Sequence, residues 1–80
     1  MIDPKETAAS AGLHYVTDKK PGYRRKKRGQ GFVYHDEKTD RKVTAKEIID
    51  RIRSLVIPPA WQNVWICRDP MGHLQVTGLD

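Results

Sequence analysis

The sequence predicts an α+β fold: a small antiparallel β-sheet of about four to five short strands, with one well-capped helix and one short N-terminal helix. Short β-prone runs at Leu13–Val16, Phe32–His35, Val64–Ile66 and Leu74–Thr77 are separated by turn-forming residues. A single stretch has helical periodicity, with Ile48, Ile49, Ile52, Leu55 and Val56 on one stripe and Lys46, Asp50, Arg51 and Arg53 facing water. Pro58-Pro59 then forbids helix and makes an extended elbow into the last two strands.

Taken in order, Asp3 as N-cap, Pro4 at N1 and Glu6 at N3 start a short helix through Ala8, Ala9 and Ala11 that stops at Gly12. Its apolar face is thin, so it frays unless it docks. Pro21-Gly22 fits the centre of a type II turn. Residues 23–28 lie between that turn and Gly29-Gln30-Gly31 and are too few for an isolated helix. An extended segment or mobile loop is expected there, with Arg24, Lys26 and Arg28 on one side. Asp36 to Lys42 is a polar connection. Thr44 and Glu47 form a capping box, and Val43 with Ile48 supplies the hydrophobic staple. Asp69-Pro70-Met71-Gly72 reads as a type I turn between the final strands. The expected core draws on Leu13 or Val16, Phe32, Tyr34, the isoleucines, Leu55, Val64, Ile66, Leu74 and Val76. Trp65 and Cys67 share a strand face opposite Val64 and Ile66, so both faces are apolar and a second domain is the expected cover for one of them.

Eighty residues hold one domain, 1–80, with a modest core. One cysteine, Cys67, excludes an internal disulfide and a cysteine-rich zinc cage. The start of the chain has no apolar stretch of signal or membrane length, which points to a soluble, reduced, cytoplasmic setting. The net charge of +5 is local rather than spread. Lys19, Lys20, Arg24, Arg25, Lys26, Lys27 and Arg28 fall within ten residues that contain no acid, and the rest of the chain carries 8 bases against 10 acids. This basic loop, 19–31, with Tyr23 and Phe32 as aromatic flanks, has the make-up of a polyanion-binding surface. A solvated loop, a nuclear-targeting stretch and a disordered tail are the plainer readings. Two functional alternatives stay open: a basic RNA- or ribosome-binding module, and a protein-interaction domain whose basic loop meets an acidic partner.

Catalytic chemistry has little support in the residues. His14, His35 and His73 sit in separate expected strands with no carboxylate or thiol partner in view. Cys67 reads as a packed thiol, and Asp36, Glu37 and Asp40 as a solvated loop without metal-ligand spacing. Gly29-Gln30-Gly31 is no P-loop, because no Gly-Lys-Ser/Thr follows. Trp61 and Trp65 are read as core or elbow packing rather than stacking platforms.

Two segments, AGLHYVTDKKPGYRRKKRGQGFVYHD and IIDRIRSLVIPPAWQNVWICRDPMGHLQVTGLD, stand in an order that resembles the N-terminal domain of type IB DNA topoisomerases of the poxvirus and bacterial kind. The ending, PPAWQNVWIC with GHLQVTGLD, is the most distinctive part. The resemblance implies a small, mostly antiparallel domain that forms one half of a C-shaped clamp on duplex DNA. The other half would be a helical catalytic domain, absent from this chain, whose tyrosine attacks a phosphodiester and holds the 3′ phosphate covalently. Relaxation of supercoils would then need no metal, nucleotide or other cofactor. Tyr15, Tyr23 and Tyr34 do not match the nucleophile, so no catalytic residue is expected here. Leu79 departs from the pattern, standing where a polar or basic residue is expected. The expectation is therefore a duplex-DNA-binding, nucleoid-associated monomer with no turnover of its own, in contact with the catalytic domain of its parent enzyme. Arg24, Arg25, Lys26, Lys27 and Arg28 are the expected phosphate contacts, supported by Lys19 and Lys20.

Overall fold

The computed structural model describes residue 5 and residues 11–80. The expected N-terminal helix falls on residues 3–11, most of which lie outside the described residues. The chain runs β1 (Tyr23–Arg28), β2 (Gly31–Asp36), β3 (Arg41–Lys42), α1 (Lys46–Ser54), β4 (Gln62–Ile66) and β5 (Val76–Leu79). The five strands form one sheet in the order β3-β2-β1-β4-β5, with every pair antiparallel. Hence β1, the basic segment, is the central strand. Residues 19–31, expected as a basic loop, are for the most part a paired hairpin, because Phe32-Val33-Tyr34 offers β1 a partner in register.

That register sorts side chains by face. Tyr23 stands opposite Asp36 on one side and Ile66 on the other, and Ile66 opposite Val76. α1 lies over this row. Tyr23, Val43, Ile52, Val64 and Ile66 form the buried cluster, with Tyr34, Ile48, Ile49, Leu55, Ile57, Trp61 and Val76 packed against it. Tyr23, read from sequence as an aromatic flank of the basic run, is only 3% exposed. Phe32 and Leu74, expected in this cluster, are not part of it. Phe32 instead lies beneath the Arg25 guanidinium, 4.2 Å from the ring centroid.

The opposite row contains Arg24, Trp65 and Thr77 in register. Trp65 and Cys67 are as buried as the other side of β4, at 1% and 3% exposure. No second domain is needed to cover them, because the chain's own segment 13–20 does so. The Trp65 indole donates Nε1–H to the Lys20 carbonyl at 3.0 Å. It also packs so closely on Gly22 that a Cβ there would lie 2.3 Å from Nε1. Gly22 thus serves close approach; positive φ is confined among glycines to Gly12 and Gly29, so the expected type II turn at Pro21-Gly22 is not formed. The turn falls earlier, with Lys20 N–H donating to the Thr17 carbonyl. Farther back, the expected strand at Leu13–Val16 reduces to one parallel bridge, His14 to Gly72. Burial of one tryptophan side chain removes about 150–250 Å² from water, worth roughly 4–6 kcal/mol.

α1 also departs from its expected start. Ala45 is the N-cap with no side-chain hydrogen bond, so Thr44 lies one residue too early and the capping box is not formed. Lys46 to Asp50 (2.7 Å) and Glu47 in the first turn favour the helix electrostatically. At the other end, Leu55 and Val56 N–H groups donate to the Ile52 and Arg53 carbonyls. This leaves Val56 in the left-handed region, at φ 51, and 81% exposed rather than on the apolar stripe. A β-branched residue is strained there, and glycine is the usual occupant. Val56→Gly should therefore raise the unfolding free energy by about 1 kcal/mol in urea titration, since so exposed a side chain packs on little. Destabilisation by the same amount would show that the valine is held by its neighbours rather than strained by its backbone.

Candidate nucleic-acid interface

The seven cations singled out by sequence do not form one equivalent set. β1 and β2 pair from Tyr23↔Asp36 to Arg28↔Gly31, leaving Gly29-Gln30 as a two-residue turn. Gly29 has φ 60 whereas Gln30 has no positive φ, the pattern of a II′ hairpin. Lys26, Lys27 and Arg28 are exposed at this tip, and their side chains have no hydrogen bond or ion pair among the described residues. Lys26 and Arg28 project from the face opposite α1, and Lys27 from the α1 side. Lys42, which the sequence left in a polar connection, pairs with His35 on the same face as Arg24 and adds charge to it. Only the pairing of β3 reveals this.

Arg24 and Arg25 have partners within the fold, with the Arg24 side chain still 39% exposed. Arg24 donates Nε–H to Glu37 Oε2 (3.2 Å) and Nη1–H to the Asn63 carbonyl (3.4 Å). Arg25 Nη2 donates to the Pro58 carbonyl (3.0 Å) and the Trp61 carbonyl (2.9 Å), fastening the elbow to the hairpin. Lys19 and Lys20 are exposed at the other end of β1. They stand roughly 17 Å or more from the tip, the length of six extended residues.

The acids of this segment lie toward the end of β2 away from the tip. Asp36, Glu37 and Asp40, expected as a solvated cluster, are each engaged elsewhere. Asp36 is 7% exposed and takes a two-pronged contact from Arg68, Nε to Oδ1 at 3.1 Å and Nη2 to Oδ2 at 3.1 Å. The Lys38 N–H also donates to its Oδ1 (2.9 Å), and the Arg68 guanidinium lies over the Tyr23 ring. Glu37 accepts from the Gly22 N–H (3.0 Å) as well as from Arg24. Asp40 meets His35 Nε2 at 2.9 Å.

Two histidines thus gain carboxylate partners that sequence did not show. His14 Nδ1 is hydrogen-bonded to Asp69, and His73 stacks on Tyr15 with centroids 5.0 Å apart. Each lies where segment 13–16 crosses the 69–73 turn, and His73 Nδ1 accepts the Val16 N–H. These contacts fasten segment 13–16. Cys67 is packed against Gly72, where a Cβ would lie 2.6 Å from its Sγ. Among the described residues, no group of three or more His, Cys, Asp or Glu is placed to hold a metal ion. Likewise, none of their helices is long and apolar enough to cross a membrane.

Residues 31–80 match the family described as bacterial DNA topoisomerase IB, N-terminal domain. The chain belongs to that family. It is also 46% identical over 59 residues to the DNA topoisomerase 1B of Acanthamoeba polyphaga mimivirus, across 74% of this chain and 17% of that protein. The chain thus spans about 17% of the length of this curated relative. No solved structure gives a significant match. The topoisomerase IB match begins at Gly31, so it takes in β2 to β5, α1 and the elbow, while β1 and Lys26–Arg28 lie outside it.

Burial pushes the Asp36 carboxyl upward, but Arg68 and the Lys38 amide outweigh it and hold the group below its ordinary 3.8. The Gly22 amide, against a smaller burial effect and helped by Arg24, likewise holds Glu37 below 4.5. Both carboxyls have folded values depressed below their unfolded ones. Their stabilisation is complete above the unfolded values and is lost as pH falls through the folded ones. Melting temperature should therefore be level from about pH 7 to 5 and drop below about pH 4. Asp36→Asn should lower it at pH 7 and flatten the acid limb. An unchanged acid limb would contradict the role given to Asp36.

Proposed function

We propose that this chain is the DNA-clamp half of a type IB topoisomerase and that the β1–β2 hairpin tip is where it meets the duplex. Lys26, Lys27 and Arg28 contact backbone phosphates, with Lys19 and Lys20 adding charge at the far end of β1. Arg25 acts indirectly, by holding the hairpin to the elbow, and Arg24 by tying β1 to Glu37 and to β4. The observation that carries this reading is the tip itself: three exposed cations on a two-residue turn, with Asp36, Glu37 and Asp40 at the far end of β2 and paired to other residues there. Phosphate contacts of this kind position a protein on DNA without reading sequence. They also favour a non-specific or weakly specific binder.

The same reading takes residues 1–80 as a single domain with a short helix at its start, monomeric and working beside a catalytic domain of the parent enzyme. Cleavage through a 3′-phosphotyrosyl bond, rotation and resealing would belong to that second domain, without metal or nucleotide. Tyr23 is buried under Arg68 and Tyr15 is stacked on His73, which supports assigning the nucleophile elsewhere. The parent would act in the cytoplasm, on the nucleoid.

Affinity for a blunt duplex, measured by anisotropy across a salt series, tests the assignment. The combined Lys26→Ala, Lys27→Ala and Arg28→Ala variant should weaken binding and reduce the salt slope by about 3 units, close to one for each phosphate no longer neutralised. Melting temperature should be unaltered by these exposed changes. An undiminished slope, or stronger binding to structured RNA than to duplex DNA, would refute this reading.

A further inference from the structure

The elbow makes a second surface that shares only Lys27 with the phosphate contacts at the tip. Between Pro59 and the hairpin lies a shallow groove of about 340 Å³, fronted by Lys27, Phe32, Ala60, Trp61, Gln62 and Asn63. That volume is at the small end of ligand sites. None of the residues lining it is acidic. Its two aromatic rings are fixed rather than loose. Trp61 packs against Gly78, where a Cβ would lie 2.7 Å from Cε3, and Arg25 stacks its guanidinium on Phe32 while bonding the Pro58 and Trp61 carbonyls.

Asn63 stands at the rim for a specific reason. β4 takes three steps from Gln62 to Trp65 while β5 takes two from Leu79 to Thr77, so the ladder bulges there. Asn63 has φ 52, a left-handed conformation that asparagine tolerates, and bulges turn a side chain out of the regular alternation. The side-chain amides of Gln62 and Asn63 have no partner among the described residues. Rigid aromatic surface, a guanidinium plane, two open amides and an exposed lysine, without a carboxylate, are the features by which proteins hold an unstacked base.

We propose that this groove binds one unpaired nucleobase at the end or break of a DNA duplex. The base lies against the Phe32–Arg25 stack and Trp61, its edge meets the Asn63 amide, and the adjoining phosphate meets Lys27. This deepens the DNA-clamp reading and rests on it, since Lys27 belongs to both surfaces.

The test compares a blunt duplex with the same duplex carrying a short unpaired thymidine tail, each titrated with the 80-residue chain. The tail should tighten binding by about tenfold, the order expected for one stacked base. Phe32→Leu and Asn63→Gly should each remove much of that gain, and Asn63→Gly should leave blunt-duplex affinity unchanged. Asn63→Gly keeps a residue suited to the left-handed backbone, so the bulge survives and the comparison holds even if Phe32→Leu unfolds. No gain from the tail, a gain untouched by Asn63→Gly, or preference of the groove for an acidic peptide would each overturn the proposal. Absence of blunt-duplex binding with the tail effect intact would instead overturn the clamp reading alone.

Discussion

The double burial of β4 is the constraint on which the rest of the molecule depends. An edge-near strand in so small a domain would ordinarily give one face to water. Here Val64 and Ile66 pack in the cluster beneath α1, and Trp65 and Cys67 are buried on the other face, where Val16, Lys20 and Gly22 meet them. Satisfying both faces forces three things. Gly22 must lack a side chain where the indole arrives, the Lys20 carbonyl must turn toward Nε1, and segment 13–16 must be held across the 69–73 turn. Once segment 13–22 is fixed this way, β1 enters the sheet beside β4 and carries its basic residues into the centre of the fold.

A central basic strand would be self-repelling without compensation, and the compensation is selective. Glu37 and Asp36, at the end of β2 away from the tip, draw in Arg24 and Arg68. Partly exposed pairs such as Arg24–Glu37 add little stability by themselves. Their larger effect is geometric, because they fix where positive charge remains. Main-chain carbonyls of the elbow serve Arg25 in the same way. Within β1, the side chains left without a hydrogen-bond or ion-pair partner among the described residues are those of the tip, where Lys26, Lys27 and Arg28 project from both sheet faces at the end away from these acids.

Much of this was legible in the sequence wherever the signal was local. The alternation that put Arg24, Lys26 and Arg28 on one side holds in β1, the apolar stripe of α1 packs as expected through Leu55, and Gly72 N–H closes the Asp69 turn at 2.9 Å. What escaped depended on distant partners. Asp36 reads as a loop acid until Arg68, 32 residues later, is brought beside it. Tyr23 reads as a stacking aromatic until β1–β4 pairing turns it under α1. Arg24 and Arg25 were indistinguishable from their neighbours, since nothing in a run of bases tells which will meet a carboxylate or a carbonyl. The helix cap failed for a subtler reason. Thr44 has the right residues after it, but the chain leaving β3 turns into helix one residue late. The family match, by contrast, spans residues 31–80 and so leaves out the basic strand β1.

The central claim is that the hairpin tip is the surface that meets the duplex, and amide chemical-shift mapping with an ¹⁵N-labelled chain and a blunt duplex tests it most directly. The account predicts salt-sensitive shifts concentrated in residues 26–30, smaller ones near Lys19 and Lys20, and little change along α1. Shifts centred on α1 or β5 with residues 26–30 unmoved would contradict it.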